Sequence, residues 1–388
     1  MLQRVVRRRT WAAVLVVGML LGSLAVAPPP AAAAPPELSA AGAVLWDPAD
    51  QRVLFGKEES VGRPMASTTK IMTTLLALED GAIDEELTVS PAAASQTGAS
   101  LGLTSGQRLP VRSVLAGLML RSGNDGSQAI AEHVAGSESA FVARMNARAG
   151  ELGLTATYFV NASGLTDDPR HHASPLDLVH LAETAMQTPD FAEWAGARRL
   201  SVPGLPPMEN RNELIGTYPG ATGVKTGFTA LSRYSLVASA TRDGRTLYGV
   251  VLGSERNFAD AARLLDHGFT DFRRAEPLTP GDRALTYRWA DAAVDLVVDE
   301  PLGATVPTDA HATWRTTLPP ARVRPVVAGA ALGQAHLVVD GEVHRTVELR
   351  AATDAPPPAD RPPAARAGAA VQETLRAFVR LHAVDRAA

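Results

Sequence analysis

Two side chains able to act as a nucleophile and as a base stand three residues apart in this sequence. Ser67 and Lys70 lie at the start of an apolar, periodic run that predicts a helix over 67–79. Residues three apart share one helical face, about 5 to 6 Å apart at their β-carbons, so the amine can reach the hydroxyl. The spacing therefore predicts a serine nucleophile with a lysine beside it.

Two further segments could meet this pair in space. Ser122-Gly123-Asn124 interrupts a helical pattern over 111–134, and Lys225-Thr226-Gly227 lies in a strand-like run over 223–253. Each motif alone is weak, since a Ser-x-x-Lys spacing is expected about 0.15 times by chance in this chain. Three of them in order favour one shared site.

Lysine is scarce in this chain. Only Lys57, Lys70 and Lys225 occur, and two of the three stand in these motifs. An amine can lose its proton when it is buried or lies near another cation, whereas a guanidinium stays charged. If Lys70 and Lys225 are neighbours, each lowers the pKa of the other, while Lys57 is expected to be an ordinary surface charge.

Composition limits the classes of function. The chain has 388 residues, 46% hydrophobic and 20% charged, enough for one large domain and a smaller one. The net charge of −4 gives no sign of the basic surface that nucleic-acid binding normally requires, so we expect no nucleic-acid partner. The absence of cysteine excludes disulfides and thiol nucleophiles. His171-His172 lacks a carboxylate pattern, so we expect surface histidines and no metal site.

The two ends of the sequence have patterns unlike the rest of the chain. Basic residues precede an apolar run over 11–27 and an Ala/Pro tract, which predicts a signal peptide over 1–34 and export. An uncleaved anchor is the alternative, although the run is short for a membrane span. Residues 371–388 predict an amphipathic helix, which either docks on protein or makes peripheral membrane contact.

Periodicity outlines the elements between these ends. We predict a hairpin at 42–46 and 52–55, helices at 139–152 and 175–186, three consecutive antiparallel strands within 223–253, and a helix at 258–268. Short strands with turn signals then predict a small all-β domain over 278–350, with strands at 285–289, 294–298, 324–327, 336–339 and 343–349. The Ala/Pro-rich stretch 351–370 predicts a linker.

The three motifs, in this order, resemble those of the serine penicillin-binding proteins and serine β-lactamases. Longer segments are similar to the D-alanyl-D-alanine carboxypeptidase branch, namely 97–100, 118–125, 159–165, 210–212 and 223–229. The resemblance implies an α/β (α+β) catalytic domain over 37–275, with a central antiparallel sheet flanked by helices and an all-helical cluster. Gly126 and Ser232-Arg233 depart from residues common in that branch, but neither removes a catalytic group.

Carried over residue by residue, the resemblance implies the catalytic roles. Ser67 would be the acylated nucleophile and Lys70 its general base. Ser122 would relay a proton to the leaving amine. Asn124 would hold Lys70 and the substrate amide.

The same resemblance implies a substrate-binding strand. Lys225 would supply positive potential, and Thr226, Gly227 and Phe228 would bind the peptide and its carboxylate. The backbone N–H groups of Ser67 and Phe228 would form the oxyanion hole, whose donors stabilise the tetrahedral charge. No cofactor is implied.

The resemblance thus implies a penicillin-sensitive serine carboxypeptidase outside the cytoplasmic membrane. Its substrate would be the peptidoglycan stem pentapeptide ending in D-Ala-D-Ala, and β-lactams would be covalent inhibitors. A serine β-lactamase is one alternative, although no segment clearly supplies a class A type deacylating glutamate. A catalytically silent cell-wall scaffold is the other, and the intact motifs argue against it.

Overall fold

The computed structural model describes residues 35–289, 292–318 and 325–355 of the chain. The predicted signal peptide over 1–34 and the predicted C-terminal helix over 371–388 lie outside the described residues. Within the described ranges, no helix combines the length and the apolar character needed to cross a membrane.

Eight α-helices occur in the part of the chain that the structure describes. They are α1 (Lys70–Glu79), α2 (Pro91–Ala94), α3 (Val111–Arg121), α4 (Asn124–Ala135), α5 (Glu138–Glu151), α6 (Pro175–Met186), α7 (Pro189–Gly196) and α8 (Asn257–Thr270). The predicted helix at 175–186 is confirmed to the residue. The predicted helix at 67–79 starts as a 3₁₀ turn, Ala66–Thr69, and continues as α1.

Sixteen strands occur in the same described ranges. They are β1 (Gly42–Asp47), β2 (Arg52–Lys57), β3 (Glu86–Thr88), β4 (Arg108–Pro110), β5 (Arg199–Leu200), β6 (Met208–Glu209), β7 (Ala221–Thr229), β8 (Arg233–Arg242), β9 (Arg245–Ser254), β10 (Phe272–Leu278), β11 (Arg283–Trp289), β12 (Ala292–Val298), β13 (Leu302–Pro307), β14 (Ala312–Thr317), β15 (Ala331–Val339) and β16 (Glu342–Ala351).

The central sheet has the antiparallel order β2-β1-β9-β8-β7. The three consecutive strands predicted within 223–253 are therefore confirmed. Asp243 and Gly244 join β8 to β9 with φ of 50° and 76°, the left-handed pair that suits a tight hairpin turn. Because β1 pairs with β9, the first hairpin closes one side of the sheet and leaves β7 as an edge strand.

The two faces of this sheet are covered by different helices. Along β8, Val237 belongs to the large core shared with the helical cluster, whereas Leu236 and Ala238 belong to a second core. That second core also contains Leu264 and Leu265 of α8. The alternation follows from the two-residue period of a strand, and the arrangement confirms the predicted α/β (α+β) fold with an all-helical cluster.

A β-rich region follows α8. Strand β10 pairs with β13, and a second five-stranded sheet has the order β11-β12-β16-β15-β14. The predicted strand at 324–327 is wrong for its described part, where only Val326 forms a bridge, with Ala355. Pro325 has no N–H to donate there, which disfavours a ladder. The bridge at Ala355 also means that the predicted linker over 351–370 begins with hydrogen-bonded backbone.

Polar contacts fasten this β-rich region to the β1–β2 turn. The buried carboxylate of Asp47 accepts from the Thr305 hydroxyl at 2.6 Å and from the Arg245 guanidinium at 3.2 Å. Asp50 forms an ion pair with Arg274 and accepts from the Thr305 N–H. Both carboxylates therefore have hydrogen-bonding partners in the β-rich region, so the contact between the two parts is specific.

Candidate active site

The candidate nucleophile lies on a tight turn pressed against the sheet edge. Ser67 is the second residue of the 3₁₀ turn, and Ala66 before it has a left-handed φ of 50°. A β-carbon built on Gly227 would lie 3.0 Å from both the Ser67 nitrogen and the Met65 oxygen. A side chain at 227 would therefore push β7 away from the Ser67 turn, and glycine allows the close approach.

Lys70 is fully buried beneath this turn. Its Nζ donates to three acceptors: Ser67 Oγ at 3.0 Å, Asn124 Oδ1 at 2.8 Å and the Ser163 carbonyl at 2.6 Å. An ammonium has three donors, so all three are used. A neutral amine keeps two of these bonds and turns its lone pair toward Ser67. The geometry therefore suits proton transfer from the hydroxyl.

Burial and neighbouring cations change the acidity of both lysines. Desolvation holds the pKa of Lys70 well below its ordinary value, and the charges of Lys225 and Arg211 lower it further, while Asp125 acts in the opposite direction. Desolvation and the charge of Arg211 lower the pKa of Lys225 to about 7. The pKa values of both amines therefore lie below those of surface lysines.

The second motif forms the break between α3 and α4. Ser122 ends α3 in a left-handed conformation, with φ 65° and ψ 33°, and Asn124 begins α4. The Asn124 amide donates to the Thr97 carbonyl at 2.7 Å, which turns its oxygen toward Lys70. The buried Ser122 Oγ has no hydrogen-bond partner among the described residues. This hydroxyl is thus available to a reacting group.

The third motif lies on the edge strand β7. Lys225 is 1% exposed, and its Nζ donates to the Thr226 carbonyl at 3.0 Å. The amide of Asn212 donates to the Gly223 carbonyl at 3.0 Å and holds the start of the strand. Because β7 is an edge, part of its backbone N–H and C=O groups face the cleft instead of a neighbouring strand.

A cleft of about 390 Å³ joins the three motifs. Its lining residues come from the Ser67 turn, the 97–100 segment, the α3–α4 break, the loops that carry Leu165 and Arg211, β7, β8 and the start of α8. They are Ser67, Gly98, Ala99, Ser122, Asn124, Leu165, Arg211, Thr226, Gly227, Phe228, Thr229, Tyr234, Asn257 and Phe258. Of the predicted site residues, Lys70 and Lys225 do not line the cleft but are buried. Over the described ranges, no three His, Asp or Glu side chains cluster to hold a metal ion.

Comparison with known proteins agrees with this geometry. A family model described as D-alanyl-D-alanine carboxypeptidase matches residues 30–256, more than half of the chain. The chain belongs to the D-alanyl-D-alanine carboxypeptidase family.

Individual relatives within the family are similar over part of the chain. D-alanyl-D-alanine carboxypeptidase DacF of Bacillus subtilis is 37% identical over 246 residues, which cover 60% of this chain and 63% of DacF. DacB2 of Mycobacterium tuberculosis is 35% identical over 240 residues, covering 58% of this chain and 82% of DacB2. The match thus spans just under two thirds of DacF and a larger share of DacB2.

The fold of this family member is similar to solved structures as well. Penicillin binding protein 5 from Haemophilus influenzae superposes with a TM-score of 0.68 and 26% sequence identity. The superposition covers 83% of this chain and 98% of the other. It therefore extends well beyond the residues that the family model matches.

Three contacts in the site were not predicted from the sequence. The Ser163 carbonyl binds Lys70. Asp125 accepts from the backbone N–H groups of 101, 102 and 103 and holds the 97–103 segment beside the cleft. His171, expected at the surface, is instead 3% exposed and bonded to Thr69, so that expectation was wrong. The resemblance of 159–165 to this family was the one signal pointing toward Ser163.

The departure at Gly126 has a packing reason. A β-carbon there would lie 2.7 Å from Leu118 Cδ1 and 2.9 Å from Leu101 Cδ1. These leucines occupy the space that an alanine methyl would need, so an alanine at 126 would require them to move. The second departure lies in the β7–β8 turn, where the Ser232 hydroxyl accepts from the Thr229 N–H at 3.0 Å.

Proposed function

We propose that this chain is a serine-type D-alanyl-D-alanine carboxypeptidase that removes the terminal D-alanine of peptidoglycan stem pentapeptides through an acyl-enzyme. The observation that carries the proposal is the buried amine of Lys70, which lies 3.0 Å from the hydroxyl of Ser67 at the base of a cleft bordered by an edge strand. A nucleophile beside a base, with backbone donors nearby, suits acyl transfer.

Acylation begins with Lys70 in its neutral form. The amine takes the proton of Ser67, and Oγ attacks the carbonyl carbon of the penultimate D-alanine. The new oxyanion lies between the backbone N–H groups of Ser67 and Phe228, which stabilise its charge. The Lys70 ammonium that results keeps Asn124 and Ser163 as acceptors.

Breakage of the peptide bond needs a proton on the leaving nitrogen. The Ser122 hydroxyl, which is unpartnered among the described residues, passes a proton to that nitrogen and is reprotonated from the lysine side. The C–N bond breaks and free D-alanine leaves. Water, losing a proton to Lys70, then attacks the carbonyl carbon of the Ser67 ester. The bond from that carbon to Ser67 Oγ breaks, Lys70 returns the proton to Oγ, and the shortened peptide leaves.

The edge strand determines how the peptide lies. An extended substrate pairs antiparallel with β7, so its carboxyl end points toward Thr226 and its amino end toward Thr229. The terminal carboxylate then meets the Thr226 hydroxyl, the positive potential of Lys225 and Arg211. Among the described residues, Arg211 has no ion-pair partner, and it lines the cleft.

The location of the enzyme is part of the same proposal. The pattern over 1–34 would direct export, which places the enzyme at the cell wall, where its substrate lies. The predicted helix over 371–388 would add peripheral membrane contact, a point that vesicle flotation of chains with and without this segment tests.

One experiment tests the reaction directly. The protein is treated with penicillin, digested, and the peptide carrying Ser67 is weighed by mass spectrometry, in parallel with D-alanine release from a D-Ala-D-Ala peptide. The proposal expects a stable adduct at Ser67 and D-alanine release, with both lost in Ser67→Ala. An unmodified Ser67 peptide without D-alanine release would reject it.

The same experiment separates the two alternatives. Rapid turnover of penicillin, with no lasting adduct on Ser67, would favour a β-lactamase. Activity and phenotype unchanged in Ser67→Ala would favour a scaffold. A positive D-alanine assay together with a stable adduct excludes both.

A further inference from the structure

His171 is a buried titratable side chain that the reaction described above does not use. It lies in the loop before α6, is 3% exposed, and packs its ring edge against Phe159 with ring centroids 6.0 Å apart. It does not line the cleft. A buried imidazole with two satisfied nitrogens next to an active-site turn calls for a physical explanation.

The hydrogen bonds of His171 determine its tautomer. The backbone N–H of Val160 donates to Nδ1 at 3.0 Å, so this nitrogen carries no proton. The neutral ring therefore has its proton on Nε2, which donates to Thr69 Oγ1 at 2.7 Å. Thr69 Oγ1 in turn donates to the Ala66 carbonyl at 2.7 Å.

This chain of hydrogen bonds, from His171 through Thr69, ends on Ala66, the residue before Ser67. Ala66 has a φ of 50°, a left-handed conformation that is unfavourable for a residue with a β-carbon and persists only when its surroundings hold it. Thr69 holds the Ala66 carbonyl from one side, and the backbone of Gly164 packs against the same carbonyl. The peptide plane held in this way leads directly into Ser67.

We propose that His171 is a positioning residue for Ser67, acting through Thr69 to hold the Ala66 carbonyl and so to aim the Ser67 N–H and hydroxyl at the substrate. The inference rests on the proposed serine chemistry. It assigns to His171 no proton transfer and no contact with substrate. Its effect comes from geometry, since a displacement of about 1 Å can cost about 100-fold in rate.

The role requires a neutral ring. The titratable groups around His171 are Lys70 on α1 and, on its own loop, His172 and Asp168. Burial first, then His172 and Lys70, lower the pKa of His171 to about 4, although Asp168 opposes them. A proton on Nδ1 would also remove the hydrogen bond that this nitrogen accepts from the Val160 N–H. The contribution of His171 should therefore be constant between about pH 5 and pH 9.

Two substitutions of His171 test its two hydrogen bonds separately. Gln places its amide near the Nε2 position and can donate to Thr69, whereas Asn places its oxygen near Nδ1 and keeps only the Val160 bond. Thr69→Val removes the middle hydroxyl at nearly constant volume, and Thr69→Ser retains it. Each variant is measured for the rate of Ser67 acylation by a fluorescent penicillin and for its thermal midpoint.

The proposal expects a specific pattern of rates. His171→Gln and Thr69→Ser should acylate within about threefold of wild type, while His171→Asn and Thr69→Val each lose about tenfold or more. The double variant His171→Asn/Thr69→Val should be no slower than either single variant, because both changes interrupt the same chain of hydrogen bonds. The ratio of wild-type to His171→Asn rates should not change between pH 5 and pH 9.

Several results would overturn the inference. One is a wild-type acylation rate in Thr69→Val. Another is an equal loss of acylation rate in His171→Gln and His171→Asn. A third is a ratio of wild-type to His171→Asn rates that changes with pH. A loss that follows the thermal midpoint across all four variants would indicate a purely structural role and would count against it as well. Failure of the wild-type protein to be acylated would instead reject the proposed function, so the two failures are distinguishable.

Discussion

Gly164 lies directly against the backbone of Ala66, because a β-carbon built on Gly164 would overlap the Ala66 carbonyl oxygen. Gly164 also has a φ of 81°, which residues with side chains rarely adopt. Its neighbour Ser163 supplies the carbonyl that binds Lys70. One glycine thus fixes the distance between the loop that binds Lys70 and the turn that carries Ser67.

Gly164→Ala is expected to damage both stability and acylation. The backbone strain alone should cost about 1–3 kcal/mol of unfolding free energy, and the clash should displace Ser67 and Ser163. Denaturant unfolding and penicillin acylation measure the two effects. Gly136→Ala is the matched control, since Gly136 has a φ of 75° but nothing within 4 Å of its built β-carbon. Equal acylation in the two variants would contradict the role assigned to the Gly164 contact.

Asn124→Asp should raise the pKa of Lys70. The new carboxylate would lie where the Asn124 oxygen now accepts from the amine at 2.8 Å, and an opposite charge favours the ammonium. Since acylation needs the neutral amine, the acidic limb of the rate profile should move to higher pH. The rate at low pH should fall about tenfold for every pH unit by which the limb moves. The measurement is penicillin acylation against pH.

Asn124→Ala provides the control for charge. It removes the same oxygen without adding a carboxylate, so the rate should fall while the acidic limb does not move upward. An unmoved limb in Asn124→Asp would show that Lys70 is not the titrating base.

Ser122→Ala should separate stability from activity. An unpartnered buried hydroxyl is a desolvation cost, so its removal should leave the unfolding free energy unchanged or raise it by about 1 kcal/mol. D-alanine release should fall about 100-fold, the scale of a lost proton relay. The control is Ser235→Ala, which removes another unpartnered buried hydroxyl outside the cleft lining and should leave D-alanine release intact. A stability loss with full activity in Ser122→Ala would refute the relay.

Arg211→Gln should shift the whole pH profile of acylation. The charge of Arg211 lowers the pKa of both Lys70 and Lys225, so its removal raises both values. In the proposed mechanism acylation needs Lys70 neutral and Lys225 protonated, so both limbs should move to higher pH. The rate of D-alanine release is measured from pH 5 to 10, with Arg108→Gln, which removes a surface charge paired with Glu86, as the control. A profile that stays in place, or moves to lower pH, would exclude this electrostatic coupling.

Local patterns were enough to predict much of the architecture. The helix α6 follows from Ser174, whose hydroxyl caps it, and from Pro175 at its first turn. The β8–β9 hairpin follows from Asp243-Gly244. Elements with weaker local signals were missed, among them α7 and the strands β10, β13 and β14. Their conformation depends on partners distant in sequence, as with β10 and β13.

The sequence by itself determined which groups could do chemistry: a serine and a lysine one turn apart, a second serine with an asparagine, and a lysine on a glycine-containing strand. Tertiary structure alone decided that Lys70 binds the carbonyl of Ser163, 93 positions away, and that His171 is buried against Thr69. The physical reason is that residue type and periodicity depend on chain neighbours. Burial, pKa and the aim of a hydroxyl depend on which distant segments pack together.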